Sequence, residues 1–212
     1  MKKYVFELKD SLFDMAFGER MLKERKDILL IILEVCRYMM YNPQVVNADN
    51  KVMLIVSDMN RFFFCTKKKM FSVMCPFHVN DYPSIVFDFN QIPVDSAMLS
   101  FIVKFLCSAE YKTETAFDFI APIEDEQERG NKDCWVVVRH LLTYELGYIR
   151  YDDDIEGFNK ACREGHPKRH PHYHYDINID SQATYKLGLS GQITPEKFVD
   201  FVDNNKDRPV IR

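Results

Sequence analysis

Four of the six histidines of the chain fall within nine residues, in the run Gly165-His166-Pro167-Lys168-Arg169-His170-Pro171-His172-Tyr173-His174-Tyr175-Asp176-Ile177-Asn178-Ile179. Imidazoles change charge near neutral pH, move protons and ligate metals, so this density marks a segment equipped for chemistry. Read as a strand, 172–179 places His172, His174, Asp176 and Asn178 on one face and Tyr173, Tyr175, Ile177 and Ile179 on the other. The apolar face packs and the polar face is offered to a ligand or to water. Histidines two apart on a strand have their bases roughly 7 Å apart, near enough for both rings to converge on one ion or one phosphate. His170 and His174 span about twice that, so adding His170 requires a bend, which Pro171 can supply. An antiparallel strand that is wet on one side alternates in the same way without any chemistry. Histidine is nevertheless an unusual cover for a wet face, where Lys, Thr and Glu are common.

Upstream, Arg150-Tyr151-Asp152-Asp153-Asp154 ends a second strand-like run. Three consecutive aspartates cannot share one face of a strand, so they turn the chain, with Asp152 or Asp154 directed at a site. A carboxylate beside an imidazole fixes its tautomer or completes a hard-metal ligand set. Downstream, Ala183 to Leu189 alternates again. If it is the hairpin partner of the histidine strand, Lys186 lies beside His174 or Asp176.

Three chemistries match parts of this pattern. His172-x-His174-x-Asp176 resembles the metallo-β-lactamase signature, but that signature continues with an adjacent histidine where this chain has Ile177, and no histidine follows His174. A His-hydrophobic-His strand resembles the rolling-circle nickases, whose nucleophile is a tyrosine on a later helix; the expected helix at 195–203 has none. The third is metal-free, with His172 and His174 as general acid and base on a phosphodiester and Lys186 holding transition-state charge. The candidate catalytic residues are therefore His170, His172, His174, Asp176 and Lys186. His166, Lys168, Arg169 and Arg150 are the candidates for substrate binding. If a divalent metal ion is bound, Asp152, His172 and His174 are its candidate ligands.

These residues sit in a chain of 212 residues, long enough for a self-supporting core. It is 47% hydrophobic, 14% aromatic and 28% charged with a net charge of -4, which excludes collagen-like, coiled-coil and disordered chains and any global positive field. The basic start Met1-Lys2-Lys3 is not followed by a signal-like apolar run, and no segment approaches membrane-spanning length, so a cytoplasmic protein without membrane association is expected. Six scattered cysteines without a CxxC pair suit reduced thiols.

Helical periodicity covers Asp10 to Met40 with a break at Gly18, then Met98 to about Tyr111, Trp135 to Tyr144 and Pro195 to Val202. Strand patterns cover 52–56, 61–65, 71–73, 85–89, 148–152, 172–179 and 183–189. Residues 153–170, with their charges and Gly157, Gly165 and Pro167, read as an irregular loop. The expected fold is α+β, an antiparallel sheet with packed helices and a C-terminal β-β-α unit. A single domain over 1–212 is expected, with a weak boundary at 124–132. It would separate a helix and small sheet in 1–123 from the histidine-bearing part, 133–212.

Residues 148–203 resemble the C-terminal part of a family of uncharacterised bacterial proteins that neighbour mobile-element and phage-defence genes. The matching elements are Arg150-Tyr151-Asp152, then His166-Pro167-Lys168-Arg169-His170 or His170-Pro171 with His174, then Lys186, and Pro195-Glu196-Lys197-Phe198. The chain departs from that family at Tyr185-Lys186-Leu187-Gly188, where Arg, a branched apolar residue and Pro are usual. The resemblance implies a defence or toxin-type protein with a link to nucleic acid. With the histidine face, the expectation is a nuclease-like His/Asp/Lys site. The alternative is a non-catalytic binding module for a phosphate-bearing ligand or a protein partner. The partners expected are nucleic acid or a nucleotide, a protein partner, or a second copy of the chain.

Overall fold

The computed structural model describes residues 1–18, 24–81, 84–108, 132–178 and 184–207. The expected loop and boundary at 124–132 lies outside them up to residue 131, and the strand end Ile179 also lies outside. The fold is α+β. It divides into two compact units, one formed by Met1–Met21, Gln44–Cys75 and Leu146–Arg212, the other by Leu22–Pro43 and Pro76–Glu145.

The first unit is built on a seven-stranded antiparallel sheet. Its strands are β1 (Lys2–Glu7), β2 (Lys51–Val56), β3 (Arg61–Cys65), β4 (Lys69–Met74), β8 (Ile149–Asp153), β9 (Tyr173–Asn178) and β10 (Thr184–Gly188), in the order β1-β2-β3-β4-β8-β9-β10. The expected C-terminal β-β-α unit is present as the β9–β10 hairpin followed by the helix Pro195–Val202, and its two strands extend the N-terminal sheet. Strand β8 docks antiparallel on β4, with Phe71 opposite Arg150 and Lys69 opposite Asp152. Strand β1 has no counterpart among the sequence patterns. Its two leading lysines disguise a short alternation that buries Tyr4 and Phe6.

One face of this sheet is covered by α6 (Pro195–Val202), which starts at Thr194, whose hydroxyl accepts from the Lys197 amide. Phe198 meets Phe63 edge-on at 6.0 Å, and Phe201 stacks on Tyr175 at 4.2 Å. Burying Phe198 alone contributes about 1.5–3 kcal/mol. On the opposite face Phe64 stacks on Phe71 at 4.3 Å, and Phe17 of α1 (Asp10–Phe17) meets Phe71 at 5.4 Å. That face continues from Phe71 across β8 to β9, where its side chains become charged.

The expected loop at 153–170 is instead helical. Helix α5 (Ile155–Arg163) is followed by a 3-10 turn, Pro167–Arg169. The side chain of Asp154 accepts from the Gly157 amide at 2.8 Å and caps the helix, while Lys160 and Arg163 sit in its last turn, where positive charge suits the dipole. Ile155, Phe158, Ala161 and Cys162 do recur at helical spacing, but the segment is only nine residues long and is set among charges, Gly157, Gly165 and Pro167, which hide it as a loop.

The second unit holds α2 (Arg25–Tyr41), α3 (Ser96–Cys107), α4 (Lys132–Thr143) and a three-stranded antiparallel sheet of β5 (His78–Asn80), β6 (Val86–Phe89) and β7 (Ile92–Pro93). Trp135 packs edge-on against Phe101 and Phe105. Arg25 donates to the carbonyls of Leu142 and Tyr144, satisfying acceptors left over at the end of α4. No described helix is long and apolar enough to cross a membrane.

Candidate functional site

The register of β8, β9 and β10 assembles the site. Arg150 is opposite Asp176, Asp152 is opposite His174, and Lys186 is opposite Asp176. All five side chains therefore share the face that begins at Phe71. This face is not wet: His174 is 0% exposed, Asp176 3% and Asp152 6%. The strand alternation through β9 holds, but its polar side is a buried charge network rather than an open surface.

The network closes on itself. Arg150 bridges the two carboxylates, with Nε donating to Asp152 Oδ2 at 2.7 Å and Nη2 donating to Asp176 Oδ2. The Lys186 ammonium donates to Asp176 Oδ1 at 2.7 Å and to His174 Nε2 at 2.9 Å. His174 Nδ1 donates to the Pro171 carbonyl at 2.8 Å, which leaves Nε2 as the acceptor of a neutral ring. Two carboxylates, one guanidinium and one ammonium sum to zero, the condition under which charge tolerates burial.

Asp152, His174 and Asp176 also offer three ligand atoms within 4.8 Å of one another, and the second nitrogen of His174 is anchored as in many metal sites. Both carboxylates, however, already face resident cations. A divalent ion would add two positive charges beside Arg150 and Lys186, so this donor set does not suit one as it stands. His172, expected as a ligand with Asp152 and His174, is not part of the cluster.

Outside the cluster, each of the other two aspartates meets its own histidine. Asp153 Oδ1 lies 2.9 Å from His172 Nε2, and Asp154 Oδ2 lies 2.8 Å from His170 Nε2. Asp152 Oδ2 is 3.8 Å from His174 Nε2. In an antiparallel pair the aspartates count upward as the histidines count downward. Asp153 turns away from Asp152, and His172, which precedes β9, is free of the strand alternation and reaches it. His170 follows the 3-10 turn and sets its ring against His174, with centroids 4.9 Å apart. Its side chain is 28% exposed and that of Lys186 is 29% exposed, so both reach the surface from a buried base.

Gly157, a loop marker by sequence, has a different reason. A Cβ there would lie 2.5 Å from both Asp154 Oδ2 and His170 Nε2. The Asp154–His170 pair therefore has room only because position 157 carries no side chain. Asp154 is acidified: burial alone would raise its pKa, but the Gly157 amide and the neighbouring His170 outweigh that and lower it. His166, Lys168 and Arg169 stand exposed along the 3-10 turn, outside the buried cluster.

His174 resists protonation, because burial and then the Lys186 ammonium lower its pKa below the ordinary 6.5, with Asp176, the Pro171 carbonyl and Asp152 only partly opposing them. Between the folded-state pKa and 6.5 the unfolded chain binds the extra proton, so stability is full above that window and is lost as pH falls through it. Denaturant melts at falling pH should show a loss of up to about 1.4 kcal/mol per pH unit, and His174→Gln should flatten the slope. Equal slopes for wild type and variant would mean that His174 is not held neutral. The contribution of Asp154 is lost only at lower pH, as its carboxylate protonates below the ordinary 3.8.

Comparison of the chain with protein-family models, curated proteins and solved structures returns no match.

Proposed function

We propose that the chain cleaves phosphodiesters by a metal-independent, nuclease-like mechanism, as a cytoplasmic bacterial defence or toxin-type protein. The observation that carries the reading is the coupling of two surface-reaching groups through one buried ring. His170, held by Asp154, lies against His174, which in turn accepts from Lys186. A carboxylate on Nε2 fixes the tautomer of His170 and leaves Nδ1 to take the proton of an attacking hydroxyl. As the new P–O bond forms, Lys186 and Arg150 are the cations available to stabilise the charge on the non-bridging oxygens. The bond to the leaving oxygen then breaks, and that oxygen takes up a proton from the imidazolium.

The second reading is a binding module in which the same groups hold a phosphate without turnover. It is favoured by the mutual satisfaction of Asp152, His174 and Asp176 in the buried cluster, which needs no substrate to explain it. The defence or toxin setting rests on the resemblance of residues 148–203.

The test is incubation of purified protein with labelled RNA and DNA strands and with bis(p-nitrophenyl) phosphate in excess EDTA. Cleavage that survives the chelator is the expected result. Cleavage that appears only on adding a divalent ion would sink the roles given to Lys186 and Arg150. Inert protein under both conditions would leave the binding module.

A further inference from the structure

Three exposed lysines, Lys67, Lys68 and Lys69, form the turn between β3 and β4. The Lys68 carbonyl accepts from the Asp153 amide at 2.8 Å, and Lys69 is the register partner of Asp152. The turn therefore abuts the end of β8 that carries the three aspartates. At the same end of the sheet, the His172 carbonyl accepts from the Asp154 amide, and the chain leading into it exposes Arg163, Lys168 and Arg169. The 3-10 turn is tied back to α5 by the bond from the His166 amide to the Ala161 carbonyl. Two basic segments about a hundred residues apart in sequence thus flank one site. Among the described residues, Glu156 and Glu164 are exposed acids in the second segment, and Asp49 lies 3.6 Å from Lys67. Asp153 and Asp154 are turned onto His172 and His170.

Beside the second segment, at the start of β9, is a stack of partly exposed rings, Phe158 on His172 at 6.1 Å and His172 on Tyr173 at 4.0 Å, with Tyr173 on the sheet face opposite His174. With β8 between them, the starts of β4 and β9 are about 10 Å apart, more than one phosphate covers. Solvated cations close to exposed aromatic faces are what a charged strand with bases requires.

We infer that this rim, Lys67-Lys68-Lys69 on one side and Arg163, Lys168 and Arg169 on the other, binds the backbone of a single-stranded nucleic acid and leads it across the His170–Lys186 site. The polymeric class of the substrate rests on the phosphodiester reading; strand binding itself is independent of turnover. It explains how a chain of net charge -4 engages a polyanion.

The probe is a fluorescein-labelled, cleavage-resistant phosphorothioate oligothymidylate, followed by anisotropy between about 50 and 200 mM salt. Wild type should bind with a steep salt dependence. The Lys67→Glu/Lys68→Glu pair and the Lys168→Glu/Arg169→Glu pair should each weaken binding about tenfold or more. Each should also make the salt slope shallower by about 0.7 for every phosphate left without its cation. Unchanged melting temperatures would assign the loss to the surface. No binding by wild type at the lowest salt, or binding by both variants as tight as that of wild type, would overturn the rim. Hydrolysis of bis(p-nitrophenyl) phosphate is read separately. Strand binding without hydrolysis supports the rim and ends the catalytic reading, and hydrolysis without strand binding does the reverse.

Discussion

Asp176→Ala should be about 3–5 kcal/mol less stable than wild type in denaturant unfolding. Among the described residues, Asp176 is the carboxylate that touches both resident cations, accepting from Arg150 on one oxygen and from Lys186 on the other. Its removal leaves Asp152 as the single anion of the cluster against two positive charges, next to a ring that resists taking a proton. Arg150 keeps its bond to Asp152, but Lys186 keeps only the nitrogen of His174. The uncompensated charge, rather than the lost attraction, dominates the cost, because the site is already desolvated. Solvent-exposed pairs such as Lys9 with Glu7 at 3.0 Å offer the contrast, since breaking one costs about 0–1 kcal/mol. Total stabilities of about 5–15 kcal/mol leave room for Asp176→Ala to unfold the protein outright. Asp176→Asn, which retains the shape and can still accept from one cation, is the companion variant and should fall between. A loss below about 1 kcal/mol for Asp176→Ala would mean that water reaches the cluster and that the charges are not held as described.

This network is only half legible in the sequence. The period-two pattern through Tyr173, His174, Tyr175, Asp176 and Ile177 assigns faces, and the hairpin places Lys186 opposite Asp176. Periodicity cannot tell a wet polar face from a buried one, because burial depends on whether neighbouring strands supply opposite charge. Arg150 does so here, through a pairing twenty-six residues away in sequence. The roles of Asp153 and Asp154 depend on β9 starting at Tyr173, a boundary set by Pro171 and the preceding turn rather than by propensity. Gly157 misleads for a related reason: within a charged stretch it signals a loop, yet its bareness answers to the nearby His170 ring and the Asp154 carboxylate. The Lys67-Lys68-Lys69 run is plain in the sequence, but only the docking of β8 on β4 brings it near the histidines. Strand β1 and the extension of one sheet through both halves of the chain are likewise long-range pairings that local patterns do not encode.

His170→Ala should lower the cleavage rate by about 10²–10⁴ while leaving the fold nearly unchanged. The ring is partly exposed, and Asp154 keeps its bond to the Gly157 amide when the imidazole is gone, so the helix cap survives. A catalytic role and a purely structural one therefore predict different pairs of measurements. If His170 moves the proton, the rate collapses at a constant melting temperature, and added imidazole restores part of it by occupying the space left beside Asp154. If His170 only completes the packing against His174, stability falls and imidazole does nothing for the rate. Asp154→Asn divides the function of that carboxylate further. Asn caps a helix about as well as Asp, so α5 should persist, but a neutral amide no longer favours the imidazolium that forms as the hydroxyl proton is taken. Its rate should fall while its denaturation midpoint stays close to that of wild type. A His170→Ala protein that cleaves within about tenfold of the wild-type rate lies well outside the range expected for loss of a general base. That result would move the proton-transfer role off the Asp154–His170 pair and leave His172, held by Asp153, as the imidazole to test next.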